Sequence, residues 1–117
     1  MNYREEAIED VVAGIHRALR RPGGLAGRDA EANVGGVEAG RLFGMLLTLL
    51  GAQIRYVIQL YGLENRRDEA HRACVAGVRQ ALAEHRERGG NFAPLVSIHL
   101  RQSVFALAGS KEMLSAA

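Results

Sequence analysis

The fold is decided by residues 36–61, which read GVEAGRLFGMLLTLLGAQIRYVIQLY. From Leu42 to Leu50 almost every residue is apolar, and a helix that is apolar on all sides is normally buried on all sides. After Ala52 the apolar residues continue at helical spacing on one face only. We therefore predict one continuous helix that starts at Val37 at the latest and ends at about Tyr61. In a chain of this size, such a helix is either central to a bundle or shared with a second subunit.

Three other segments also carry helical periodicity. The first runs from Tyr3 to Arg21, with its acidic residues early and its arginines late, an order that suits the helix dipole. Two more run from about Asn65 to Arg88 and from Asn91 to Ala108, and a pair of glycines separates them. The glycine-rich segment Pro22–Asp29 predicts a loop. The sequence leaves open whether residues 30–40 are helix or loop.

No segment alternates apolar and polar residues as a β-strand does, so we expect an all-α fold. The expected architecture is an antiparallel four-helix bundle with a central, glycine-striped apolar helix. Residues 1–108 form the single predicted domain, and residues 109–117 form a flexible tail. The fourth helix is apolar on two faces, which predicts a well-buried element. The third helix carries small core residues that let a neighbour approach closely, namely Ala70, Cys74, Gly77 and Ala81.

The most distinctive pattern is a stripe of small residues at every fourth position of the second helix: Gly36, Gly40, Gly44, Thr48 and Ala52. A glycine costs about 1 kcal/mol inside a helix, and close packing against another helix offsets that cost. We therefore predict that this stripe is a homo-oligomer interface, with a dimer as the favoured state. Two alternatives stay open. The stripe packs inside the chain against the small face of the third helix, or Gly35–Gly40 is loop.

Composition limits the class of protein. The chain has 117 residues, of which 48% are hydrophobic and 24% are charged, so bulk disorder is excluded. Fourteen of its 15 basic residues are arginine, yet the net charge is only +2. The lone Cys74 excludes an internal disulfide framework. Residues 1–6 lack the apolar region of a signal peptide, and polar residues interrupt Leu42–Leu63. We expect a cytoplasmic protein that engages no membrane.

Arginines are the candidate contacts for an anion or a nucleic acid. Three of them recur at seven-residue spacing along one face of the third helix, where they would follow a phosphate backbone: Arg72, Arg79 and Arg86. Arg28 and Arg41 lie in and after the glycine-rich stretch Gly23–Gly36. Arg55 interrupts the apolar helix, and it either pairs with an acid such as Glu9 or Asp10 or lines a ligand site. Nearby acids make a solvated surface the alternative interpretation of the three-arginine stripe.

The residues typical of catalysis are scarce. Asp68, His71 and Cys74 follow one another at three-residue steps, which resembles part of a metal site. A zinc site needs four ligands, however, and a di-metal site needs further carboxylates that the other helices do not supply. We expect no catalytic set, no metal and no cofactor.

The function that best fits these patterns is that of a small, non-enzymatic helical binding protein. It would self-associate through its second helix and act as an adaptor, regulator or inhibitor of a larger protein. The alternative is a nucleic-acid or nucleotide binder that uses the arginines of the third helix and of the glycine-rich segment. A metal-dependent enzyme built on His71 and Asp68 is the weaker alternative.

Overall fold

The computed structural model describes the backbone of residues 3–20 and 30–116, and the side chains of residues 3–20 and 36–109. These residues form five α-helices and one short 3₁₀ helix, with no β-strand among them, so the all-α prediction is confirmed. The chain divides into two compact units, Met1–Leu49 and Leu50–Ala117. The four-helix bundle, its antiparallel packing and the single domain 1–108 stay predictions.

The first unit pairs α1 (Tyr3–Leu19) with α2 (Ala30–Leu49). Acidic residues lie in the first turn of α1 and basic residues in its last turn, as the helix dipole favours. The tightest approach is at Gly14, because a β-carbon there would lie 3.1 Å from Leu42 Cδ1. The buried apolar residues of α1 are Ile8, Val12, Ile15 and Ala18.

The backbone of α2 is helical from Ala30 onward, so residues 30–40 are helix and not loop. The sequence predicted that one helix continues to Tyr61, and this prediction was wrong. The helix stops at Leu49, and a separate helix, α3, spans Gly51–Leu60. Leu50 lies between them with φ −88° and ψ 0°, well away from the helical ψ of about −42°. Gly51, a poor helix former, follows at once.

Burial on all sides of the apolar segment was also predicted, and the structure differs. Ala39 and Leu46 are the buried residues of α2 among its described side chains. Val37 and Met45 are exposed, at 71% and 44%. Because α2 has its main described contact with α1, one side of the helix is covered and the other faces outward.

The second unit contains α3, a 3₁₀ turn (Glu64–Arg66), α4 (Arg67–Arg88) and α5 (Phe92–Ala116). The small residues on one face of α4 pack against α5. The sequence predicted that a neighbouring helix would approach this face closely. A β-carbon at Gly77 would lie 2.7 Å from Ser103 Oγ and 3.0 Å from the His99 carbonyl oxygen. The opposing face of α5 is fully buried and consists of Phe92, Val96, Leu100 and Val104.

Glycines end the helices of this unit where the sequence predicted. Gly62, Gly89 and Gly90 have φ values of +66°, +71° and +86°, a region that glycine enters without steric cost. The backbone of α5 is helical to Ala116, beyond the point at which the sequence predicted a tail. The flexibility of residues 109–117 stays a prediction.

Candidate functional site

The glycine stripe lies on the outward side of α2. Gly36, Gly40, Gly44 and Thr48 are all exposed, and no neighbouring atom lies within 4 Å of a β-carbon built on any of the three glycines. Val37 and Met45 flank them and are exposed as well. We call these six residues the α2 glycine face. It presents a shallow, smooth helix surface with an apolar side chain on its border.

Charge is almost absent from this side of α2. Of the seven exposed residues between Gly36 and Leu49, only Arg41 is charged. Its guanidinium donates to both carboxylate oxygens of Glu38, at 2.7 and 3.2 Å, and also to Met45 Sδ at 3.5 Å. The hydrogen bond to Glu38 raises the pKa of Arg41, and the negative charge of Glu38 raises it further. Arg41 is therefore engaged within α2 itself.

Ala52 does not continue the stripe on the same helix. It is exposed, but it belongs to α3, beyond the break at Leu50. The predicted run of five small residues on one helix was therefore wrong in its last member. Thr48, at the end of α2, donates its hydroxyl to the Gly44 carbonyl oxygen at 3.1 Å, so its polar atom is satisfied within the helix.

The alternative of an internal contact for the stripe required the small face of the third predicted helix. That face belongs to α4, and α5 occupies it, because Gly77 lies against Ser103 and the His99 backbone. The glycines of α2 remain exposed. The loop alternative fails, since residues 30–40 are helical.

The candidate anion-binding arginines that the structure describes lie on three helices, α2, α3 and α4. Arg28 lies outside the described residues. Arg72, Arg79 and Arg86 are exposed on α4, as their spacing predicted. Arg55 is exposed on α3, and its pairing with Glu9 or Asp10 stays a prediction.

The start of α4 mixes both signs of charge. Arg66 binds the Glu69 carboxylate at 2.5 and 3.3 Å. This hydrogen bond, more than the charges of Arg66 and Arg72, lowers the pKa of Glu69. An open depression there has a volume of about 480 Å³ and is lined by Glu64, Asn65, Arg66, Arg67, Asp68, Glu69 and Arg72. The positive charges of the arginines are therefore offset by neighbouring carboxylates at this end of the three-arginine stripe.

The residues of the weaker metal hypothesis do not come together. Asp68 and His71 are exposed, whereas Cys74 is fully buried in the core. Burial raises the pKa of the Cys74 thiol to about 11, so it stays protonated at neutral pH. Within the described part of the chain, no group of three or more His, Cys, Asp or Glu side chains has the spacing to hold a metal ion.

One exposed surface was missed from the sequence. The two apolar faces of α5 predicted a well-buried helix, and this was wrong for one of them. Ile98 and Phe105 are exposed at 53% and 65%, on the side opposite the buried Val96 and Leu100. The double apolar pattern was itself the available signal, because one helix rarely finds enough neighbours in a small domain to cover both of its faces.

No single helix in the described residues is long and apolar enough to cross a membrane. The pair Gly36–Leu49 and Gly51–Leu60 passes by length and composition only when the two are taken together.

The chain matches no protein-family model, and no curated protein and no solved structure is detectably similar to it. The features of its surface are therefore the basis for assigning it a function.

Proposed function

We propose that this protein is a non-enzymatic helical binding protein that forms a homodimer through the α2 glycine face. The observation that carries the proposal is the exposure of Gly36, Gly40 and Gly44 on a helix side with a single, internally paired charge. The outward side of a helix on a monomer is normally rich in charged residues. A second copy of α2 is the occupant that this side fits best.

The free-energy cost of glycine in a helix supports a partner on the α2 glycine face. Three glycines inside a helix cost about 3 kcal/mol relative to alanine. Gly77 has backbone neighbours close enough to explain the absence of a side chain, but the three glycines of α2 have none. Close approach of a partner helix offsets such a cost, because backbones that come near each other gain dispersion contacts along the whole groove.

Self-association also fits the chemistry of the face. A two-fold interface brings one patch against its own copy, so the patch must be complementary to itself. A neutral surface meets this requirement without like-charge repulsion. In such a dimer the exposed Val37 and Met45 lie beside the glycine groove of the partner helix, which removes their apolar surface from water.

Native mass spectrometry and light scattering test the proposal. The purified chain is expected at twice its mass of 12.7 kDa, and Gly44→Leu is expected as a folded monomer, since leucine fills the groove and favours the helix. Ala83→Leu adds the same side chain at an exposed position of α4 and is expected to stay dimeric. A monomeric wild type, or a dimeric Gly44→Leu, contradicts the proposal.

The broader role that we propose is that of an adaptor, regulator or inhibitor that engages a larger protein in the cytoplasm. It rests on a surface built for contact with protein and on a described interior that consists of packed apolar side chains. Turnover of a substrate by the purified dimer would refute the non-enzymatic part of the proposal.

Nucleic-acid or nucleotide binding is the second candidate, favoured by the exposed arginines of α4. Binding through them would weaken steeply with salt, because phosphate neutralisation releases counterions. The double variant Arg72→Glu with Arg79→Glu would abolish it, while Gly44→Leu would leave it unchanged. Binding to a single-stranded oligonucleotide that is insensitive to salt, or absent at low salt, removes this candidate.

A further inference from the structure

The outward side of α5 is an apolar surface that its own unit leaves uncovered. Ile98 and Phe105 lie seven residues apart on this side, two helical turns or about 10.5 Å along the axis, and both are more than half exposed. Single exposed apolar residues are ordinary on a protein surface, whereas contiguous apolar patches mark interaction surfaces.

Helix α3 packs against α5 at one end of this surface. The ring of Tyr61, at the end of α3, meets the ring of Phe105 edge-on, with the ring centroids 6.2 Å apart. Tyr56 and Leu60 lie one turn apart on α3 and are 58% and 55% exposed. We call the four exposed side chains Tyr56, Leu60, Ile98 and Phe105 the α3–α5 face.

The charged side chains that the structure describes on these two helices have one sign. Arg55 on α3 and Arg101 on α5 are exposed, and neither makes an ion pair with a described residue. No aspartate or glutamate occurs in Gly51–Leu60 or between Phe92 and Gly109. Elsewhere on the described surface, Arg41 and Arg66 each pair with a carboxylate. The α3–α5 face is therefore both apolar and positive.

We propose that the α3–α5 face docks an acidic amphipathic helix of a partner protein. Apolar anchors about two turns apart are the spacing at which such a helix contacts its receptor. Glutamates beside those anchors would meet Arg55 and Arg101, and arginine binds carboxylates through paired hydrogen bonds. This docking site depends on the proposed function only in that the chain acts by binding another protein. It does not require the α2 dimer.

The number of charges favours a protein over other anionic partners. Segments that hold proteins on acidic membranes carry about four to eight basic residues. Nucleic-acid binders commonly neutralise about 6–10 phosphates. Two arginines beside four large apolar side chains suit a partner whose main contribution is its own apolar face.

Fluorescence anisotropy with labelled peptides of about 18 residues, long enough to become helical on binding, tests the docking site. Three peptides are compared: an amphipathic helix with glutamates beside its apolar face, the same helix with lysines in their place, and the glutamate peptide with scrambled apolar positions. Vesicles of equal phosphatidylglycerol and phosphatidylcholine are the membrane comparison.

The glutamate peptide is expected to bind most tightly. Phe105→Ser and Arg101→Glu should each weaken its binding about tenfold, and Arg101→Glu should bind the lysine peptide better than wild type does. The control Arg88→Glu, at an exposed position of α4, should stay within about twofold of wild type. All three positions are exposed, so the variants are expected to fold, and circular dichroism checks this.

Equal binding of the three peptides, no binding of the glutamate peptide, or a preference for vesicles overturns the docking site. So does an unchanged affinity of folded Arg101→Glu. Native mass spectrometry of the same samples reports the dimer separately. A monomer that still binds the glutamate peptide refutes the α2 interface alone, and a dimer that does not bind it refutes the docking site alone.

Discussion

Gly77→Ala is the sharpest test of how α4 and α5 pack. The added β-carbon would lie 2.7 Å from Ser103 Oγ, 3.0 Å from the His99 carbonyl oxygen and 3.3 Å from the His99 carbonyl carbon. The serine hydroxyl can rotate away, but the backbone of a buried helix cannot. The two helices must therefore separate by a few tenths of an ångström at their crossing.

The expected cost follows from two opposing effects. Overpacking a well-filled contact costs about 1–3 kcal/mol, and a clash with backbone belongs at the upper end of that range. Alanine favours the helix over glycine by about 1 kcal/mol. We expect Gly77→Ala to lower the free energy of unfolding by about 1–2 kcal/mol. The double variant with Ser103→Ala should recover only part of this loss, because the His99 carbonyl remains.

Urea unfolding followed by circular dichroism measures these differences. Gly109→Ala is the matched control, since it lies in α5 and nothing is within 4 Å of its β-carbon position. It should stabilise the protein by up to about 1 kcal/mol. A Gly77→Ala variant as stable as wild type refutes the close-packing argument. Full recovery by Ser103→Ala refutes the part assigned to the backbone.

Three further predictions concern the core. Phe92→Ala should cost about 3–5 kcal/mol in urea unfolding, because the ring is fully buried and meets His85 edge-on. Cys74 has a pKa raised from 9.0 to about 11 by burial, so its stabilising contribution is complete below pH 9 and is lost as the pH rises toward 11. This loss amounts to at most about 3 kcal/mol, and a Cys74→Ala variant with the same alkaline decline would contradict it. Gly14→Ala should be nearly neutral, because the 3.1 Å contact is with the end of a flexible leucine; a loss above about 2 kcal/mol would show that this side chain cannot move.

Local patterns predicted much of the architecture. The bounds of α1 and α4 follow from apolar spacing, from charges that suit the helix dipole, and from the glycines that end α4. The small face of α4 predicted a close neighbour, and α5 is that neighbour. These predictions succeeded because each depends on residues a few positions apart in the chain.

The break at Leu50 was not predictable in the same way. Leucine is a good helix former and the residues on both sides are helical, so propensity favoured a continuous helix. Leu50 is 1% exposed and its ψ of 0° lies outside the helical range, so local propensity alone did not predict the backbone at this residue.

For the candidate surfaces, the sequence predicted which residues share a helix side but not whether that side is exposed. Periodicity identified the α2 glycine face residue by residue, apart from Ala52, because spacing in a helix sets which side chains share a side. Whether that side is covered or exposed depends on which neighbour reaches it. The same holds for α5, whose two apolar faces look alike in the sequence. Val96, Leu100 and Val104 are buried by α4, while Ile98 and Phe105 are left to solvent.

Composition and periodicity were thus sufficient for the helical class, for most helix ends and for the membership of each face. Burial and the position of the close contacts at Gly14 and Gly77 depend on packing between segments far apart in the chain. The physical reason is that helix formation is governed by interactions within about one turn, whereas burial is a property of surfaces that meet only when the chain has folded.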